Sequence, residues 1–170
     1  MADSRPFAGA AADDNDFAAV FREHYPYVLR LAAVMTGDVD TAKDVGQDVF
    51  IVVMNGLGAF RGESSLRTWL YRITLRIAGR HAAKRRKHAS PEFDFDALPG
   101  ADTADSAVSL TELVKALGAL SLESRAVLSL VAIEGLSHQA AADVLGVPVG
   151  TVWSRLHAAR RQLAEAIGGS

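Results

Sequence analysis

Arg72, Arg76, Arg80 and Lys84 recur every fourth residue, flanked by Arg67 and by the basic run Lys84–Lys87. On a helix this spacing draws a slowly drifting stripe of positive charge along one side. Aligned like charges repel one another by roughly a few tenths of a kcal/mol per pair. A polyanion removes that repulsion and gains further from released counterions, so the chemistry these residues can do is phosphate-backbone binding. The other reading is a solvated basic face, or one that pairs with acidic residues elsewhere in the chain. Trp69 and Tyr71 bring rings on which bases could stack, although Trp69 shares its spacing with the apolar face and reads as core.

A second constellation lies near the C-terminus, in the segment Ser137 to Leu156. Ser137 can cap a short helix, Gly146 can end it through a left-handed turn, and Pro148 can open the next at the tolerated first position. Two helices joined by a short Gly-containing turn make a helix-turn-helix. In the second helix Val152, Leu156, Ala159 and Leu163 form the buried stripe. Thr151, Ser154, Arg155 and Ala158 then face away from it, near the end where a recognition helix meets base edges. His157, Arg160 and Arg161 lie on the same helix, and no acid stands between Gly146 and Gln162. An ordinary helical hairpin with a basic face would satisfy the same pattern.

Bond-breaking chemistry finds no comparable support. His24, His81, His88, His138 and His157 are scattered, and none forms the His-Glu-x-x-His spacing of a zinc protease. There is no cysteine, which excludes disulfides, thiolate metal sites and cysteine nucleophiles and suits a cytoplasmic chain. Gly56-Leu-Gly58 is too short for a phosphate-binding loop, and Asp13/Asp14 and Asp38/Asp40 are explained by tail and helix cap. No catalytic residue, metal site or cofactor is expected.

The elements that must position these residues are helical. The 170 residues are 49% hydrophobic and only 7% aromatic, with Ala, Leu and Val dominant and no strand-like alternation. No apolar run is long enough for membrane insertion. The net charge of -2 by itself speaks against nucleic acid, but it averages over strong segregation. Residues 64–91 hold eight bases and no acid, whereas residues 92–112 hold six acids and no base. The expected organisation is all-α: a mobile tail (1–14), a helical domain (15–88), a flexible acidic linker (89–106) with Pro91, Pro99 and Gly100, and a second helical domain (107–170).

In the first domain, helices are expected from about Asn15 or Asp16 to Thr36, from Thr41 to Leu57 behind Asp38 or Asp40, and from Ser64 or Ser65 into the basic run. Pro26 should kink or split the first. The second buries Ala42, Val45, Val49, Val52 and Val53, yet sets Phe50, Ile51 and Met54 on its other side beside Asp44, Gln47 and Asp48. Such a helix is either central in a bundle or docks a partner. In the second domain, helices are expected at about 107–117, 122–134, 137–145 and 148–167.

The segments Leu29–Ala32, Thr36–Asp38, Asp44–Phe50, Phe60–Gly62 and Thr68–Ile73 resemble the sigma-two domain of extracytoplasmic-function (ECF) sigma factors of bacterial RNA polymerase. Leu120–Leu128, Glu134–Ser137, Leu145–Val152, Ser154–His157 and Ala159–Leu163 resemble their sigma-four domain. Together the two stretches span about Phe17 to Ala166.

The resemblance implies a sigma factor that binds core RNA polymerase, recognises minus-35 and minus-ten elements of promoter DNA and promotes melting, without being an enzyme. Asp44, Gln47, Asp48, Phe50 and Ile51 match the segment that docks on the polymerase clamp helices. Phe60, Arg61, Gly62, Ser64 and Ser65, with Arg72, Arg76 and Arg80, match the part that opens the minus-ten element and holds the single strand. Thr151, Ser154, Arg155, His157, Arg160 and Arg161 match the minus-35 reader. The linker would thread toward the RNA-exit channel, where Glu92 to Asp105 would mimic nucleic-acid charge. An anti-sigma factor is the further partner implied, and exposed Phe50, Ile51 and Met54 would suit such masking. A regulator that binds duplex DNA without polymerase is the alternative.

The chain departs from the family pattern at several positions. Arg76 stands where Asn is common, Arg80 where Asp or Asn is common, and Lys43 where an acid is frequent. Trp153 and Ala158 occupy places often held by basic residues, and Gly46 sits mid-helix at a cost of about 1 kcal/mol relative to Ala. The fewer phosphate contacts should flatten the salt dependence of binding.

Overall fold

The structure is a computed structural model that describes residues 14–85 and 110–168. Every regular element among the described residues is helical: α1 (Asp14–Thr36), α2 (Val39–Gly56), α3 (Leu66–Arg85), α4 (Leu110–Ala119), α5 (Leu122–Leu128), α6 (His138–Leu145) and α7 (Val149–Gly168). A 3₁₀ turn, Leu57–Ala59, follows α2, and a π-helical turn, Ser129–Ile133, extends α5. The acidic linker, nearly all of the expected tail, and Arg86 and Lys87 of the basic run lie outside the described residues.

In the first module α1, α2 and α3 pack against one another. Val28 and Met35 of α1, Val45, Val49 and Val53 of α2, and Leu70 and Tyr71 of α3 are fully buried. Their three-to-four spacing is the sequence signal that made each segment a helix. Pro26 lies inside α1 without splitting it. Both Pro26 and Arg22, whose carbonyl loses its partner to the imino ring, are exposed, which leaves the freed group open to solvent.

The α1–α2 corner is fixed locally. Gly37 takes φ +67° and donates to the Ala33 carbonyl at 2.8 Å, while the single Thr36 hydroxyl proton is shared between the Ala32 and Asp38 carbonyls, each 2.8 Å from Oγ1. Asp38 caps α2 by accepting from the Thr41 amide at 3.0 Å and also binds the Thr41 hydroxyl. Ser65 does the same for α3, accepting from the Thr68 amide at 3.1 Å.

The second module packs α5 and α6 on α7, with α4 against α7 as well. Ser121 caps α5 and Ser137 caps α6, and Gly146 takes φ +66° after Leu145, as its place between two helices requires. The expected helix 122–134 instead changes winding at Ser129. The Glu134 amide donates to the Ser129 carbonyl and the Leu136 amide to the Leu130 carbonyl, with Gly135 at φ +67° closing the turn.

The modules pack together. α4 and α5 rest on α1, α6 meets α3, and one connected core runs from Val20 and Tyr71 to Val127, Leu130 and Leu156. At the seam α1 and α4 come so close that a Cβ on Gly37 would lie 2.9 Å from Gly118 Cα. Arg125 of α5 sits beside this corner, 7% exposed, and its Nε and Nη1 have no hydrogen-bond partner among the described residues.

Candidate nucleic-acid interface

α3 carries the basic stripe where its periodicity requires. Leu70, Ile73 and Ile77 are buried, which turns Arg72, Arg76 and Arg80 outward. Arg76 and Arg80 make no ion pair with a described residue. Arg72 and Arg67 do have partners, supplied by the second module. Arg72 donates from Nε to the Val144 carbonyl at 3.2 Å and from Nη2 to the Asp143 carbonyl at 3.4 Å. These carbonyls end α6, where unpaired oxygens carry the negative pole of the helix. Arg67 clasps Glu134 with Nε and Nη2 at 2.5 and 3.0 Å, and its guanidinium lies 3.9 Å over the Tyr27 ring.

That pairing is electrostatically tight. The hydrogen bond to Glu134 pushes the Arg67 pKa further up. Burial, together with the Glu134 charge, pushes the Tyr27 phenol up, so it stays neutral at any ordinary pH. Beside the pair, Tyr71 Oη donates to the Ala126 carbonyl at 2.8 Å and shares a 2.9 Å hydrogen bond with Ser129 Oγ, pinning α3 to α5.

The loop before α3 forms a hollow of about 300 Å³, bounded by Ala59, Phe60, Arg61, Glu63, Ser64, Trp69 and Arg72. Gly62 turns its tip at φ +71°. Phe60 lies 5.1 Å from Trp69, and both are half-buried, so Trp69 lines this hollow as well as closing the core. Arg61 and Ser65 are exposed, and Ser64 is half-buried.

α2 exposes Asp44, Gln47, Asp48 and Ile51, as expected, but not Phe50. Phe50 is 4% exposed, whereas Ile51 and Met54 are 55% and 57% exposed. The aromatic edge of α1 covers it: Phe21 packs edge-on at 4.8 Å, with Phe17 and Tyr25 at 6.4 and 5.8 Å. Phe50 thus shapes the floor of an apolar groove lined by Phe17, Phe21, Tyr25, Gln47, Ile51 and Met54. Asp48 is paired with His81 of α3 at 2.8 Å.

On α7 the stripe Val152, Leu156 and Ala159 is buried. Ser154, His157, Arg160 and Arg161 are exposed, with Arg161 3.7 Å from Glu165 one turn on. Thr151, Arg155 and Ala158, expected to face away from the core, are half-buried on one flank of the helix. The other flank carries Trp153, 58% exposed and stacked on His138 of α6 at 4.0 Å and 19°.

The residues that sequence reasoning missed are the partners across the seam. Glu134 and the α6 carbonyls carry no local signal, because they act only once α3 lies beside α5 and α6. Among the described residues no group of three or more His, Cys, Asp or Glu side chains could hold a metal ion.

Comparison with known proteins gives concordant results. Two family models match, Sigma-70 region 2 over residues 20–88 and Sigma-70, region 4 over residues 110–163. The ECF RNA polymerase sigma factor SigM of Mycobacterium tuberculosis is 31% identical over 161 residues, which cover 95% of this chain and 82% of that protein. The RNA polymerase sigma-H factor of Pseudomonas aeruginosa is 31% identical, covering 91% and 88%. Among solved structures, the sigma factor RpoE in complex with the anti-sigma factor NepR from Bartonella quintana matches with TM-score 0.70 at 25% identity, covering 91% of this chain and 98% of that one. CnrH in complex with the cytosolic domain of CnrY matches with TM-score 0.65 at 26% identity, covering 94% of each. Both matches extend across the residues of the two modules.

Proposed function

The chain belongs to the ECF RNA polymerase sigma factors, and from that premise we propose how its surfaces divide the work of promoter recognition. Core polymerase takes the exposed face of α2, where Asp44, Gln47, Asp48 and Ile51 border the apolar groove floored by Phe50. The minus-ten element is opened at the hollow beside α3. There Phe60, Arg61, Gly62, Ser64 and Ser65 receive an unstacked base, and Arg72, Arg76 and Arg80 follow the displaced strand. α7 enters the minus-35 major groove with Ser154 and His157 toward base edges, and with Arg160 and Arg161 toward phosphates. Thr151 and Arg155, half-buried in the free chain, contact the groove from its side. Members of this family are transcription initiation factors, and melting would draw on binding energy alone.

The observation that carries this reading is the exposed positive charge of Arg76 and Arg80, without an ion pair among the described residues, on the three-helix unit that also bears the hollow and the apolar groove. The arrangement described is a closed one. Arg67 and Arg72 are spent on Glu134 and on the end of α6, so α3 presents its full stripe to DNA only after the modules separate. Core polymerase, which must hold the two modules apart to reach two promoter elements, would supply that separation. An anti-sigma factor would favour the closed form, as the similarity to a sigma factor solved in complex with the anti-sigma factor NepR supports. No described helix is long and apolar enough to cross a membrane.

The test mixes the full chain with core polymerase and measures promoter-dependent run-off transcription and permanganate reactivity of the minus-ten thymines. A stable complex with promoter-dependent product and an opened minus-ten region is expected. Absence of a complex with core would overturn the reading, and product without permanganate reactivity would remove melting from it.

A further inference from the structure

The side chain least explained by the surfaces above is Trp153. It is the most exposed aromatic on α7, 58% open to solvent, and it stands between the buried Val152 and the exposed Ser154 in the first turns of the helix. Its ring stacks on His138, the first residue of α6, at 4.0 Å between centroids and 19° between planes. Ser137 holds that end of α6 by accepting from the Ala140 amide at 3.1 Å. The imidazole therefore covers one indole face, anchors the ring to the partner helix of the helix-turn-helix, and leaves the other face free.

We propose that Trp153, oriented by His138, is a specificity-determining residue that reads a thymine of the minus-35 element through its C5-methyl group. The inference rests on the promoter reading above. The occupant is DNA because of what surrounds the ring. Ser154, His157, Arg160 and Arg161 are exposed on the same helix, and the first acid after Trp153 along α7 is Glu165. In the major groove the apolar feature of a base pair is the thymine methyl, and apolar side chains are its usual partners. An uncharged indole adds nothing to phosphate attraction, but it can bury the methyl and itself at the same time. Stacking on His138 restricts the ring before DNA arrives, which lowers the ordering cost that an exposed long side chain would meet on binding. Where a basic residue at this position would supply charge, this chain substitutes a contact that discriminates between bases and is insensitive to salt.

The experiment uses holoenzyme reconstituted from the full chain and core polymerase. Binding sites are selected from duplexes randomised over the minus-35 stretch, prepared once with thymine and once with deoxyuridine. The wild type is expected to enrich thymine at one position. It should bind the corresponding deoxyuridine duplex about fourfold more weakly, the effect of one buried methyl. Trp153→Ala should bind both duplexes alike, and Trp153→Lys should bind both alike with a steeper salt dependence. His138→Ala should weaken the thymine preference while Ser137 still caps α6. A wild type indifferent to the methyl at every position, or a Trp153→Ala variant that keeps full methyl sensitivity, would overturn the proposal. A holoenzyme that transcribes from its promoter but shows no methyl preference sinks only this inference, whereas failure to bind core sinks the promoter reading beneath it.

Discussion

Arg67 and Glu134 meet in a bidentate ion pair, 2.5 and 3.0 Å long, that joins the first turn of α3 to the turn after α5. The two residues stand 67 positions apart in the chain and belong to different modules. Removing Glu134 frees Arg67 and loosens the seam without touching any proposed DNA contact. Because Arg67 is half-exposed, the pair is worth only about 1 kcal/mol. Glu134→Ala in the free chain is expected to bind a single-stranded minus-ten oligonucleotide about fivefold more tightly, read by fluorescence anisotropy. Arg67→Ala also opens the seam but deletes a cation, so its gain should be smaller.

Phe50 and Ile51 are neighbours in sequence with opposite surroundings, and their variants should separate folding from docking. Phe50→Ala removes a ring packed against Phe21, Phe17 and Tyr25 and should cost about 3–5 kcal/mol of stability in urea denaturation. Ile51→Asp leaves the core intact, so its unfolding curve should match the wild type while its complex with core polymerase is lost. Equal loss of stability in both would mean that α2 is merely structural.

Arg76 and Arg80 are exposed and have no ion pair among the described residues, so each phosphate contact they make should appear in the salt dependence of binding. For single-stranded DNA each contact contributes about 0.7 to the slope of log K against log salt. The double variant Arg76→Ala, Arg80→Ala should flatten that slope by about 1.4, while duplex minus-35 binding keeps its own slope.

His24 in α1 makes stability depend on pH. Burial lowers its pKa from the ordinary 6.5; the nearby Glu23 carboxylate, 3.8 Å away, opposes this and Arg67 reinforces it. A group whose folded pKa is depressed binds its proton more readily when unfolded. Its contribution is therefore complete above pH 6.5 and is lost as pH falls from there toward the folded value. Thermal unfolding of His24→Gln should show a shallower decline in Tm over that window than the wild type.

The helix-turn-helix was legible because its punctuation is chemical and local. Ser137 caps, Gly146 takes the left-handed turn, Pro148 opens α7, and the observed bounds fall within a residue of those expected. The outward stripe of α3 was legible for the same reason, since Leu70, Ile73 and Ile77 leave only one side for arginine. Phe50 was misread because periodicity within α2 cannot show that a neighbouring helix brings Phe17 and Phe21 to cover a second face. The π turn at Ser129 was equally silent. It arises where α5 must aim Glu134 at α3, and that requirement belongs to packing between modules. The flanks of α7 were confused for a similar reason: Thr151 and Arg155 obey the helical wheel, but the neighbouring helices cover more of the wheel than the apolar stripe alone suggests.

Arg125 gives this seam a thermodynamic character of its own. A guanidinium that is 7% exposed, with Nε and Nη1 unpartnered beside Gly37, bears a desolvation cost that its neighbours do not repay, and burial accordingly lowers its pKa. The contacts that draw the modules together thus work against the desolvation of this guanidinium, which the Glu123 charge offsets only in part, and the net preference for closure is smaller than its hydrogen bonds suggest. Any partner that binds the separated modules has to overcome only the surplus, and modest differential affinity is enough to tip the population.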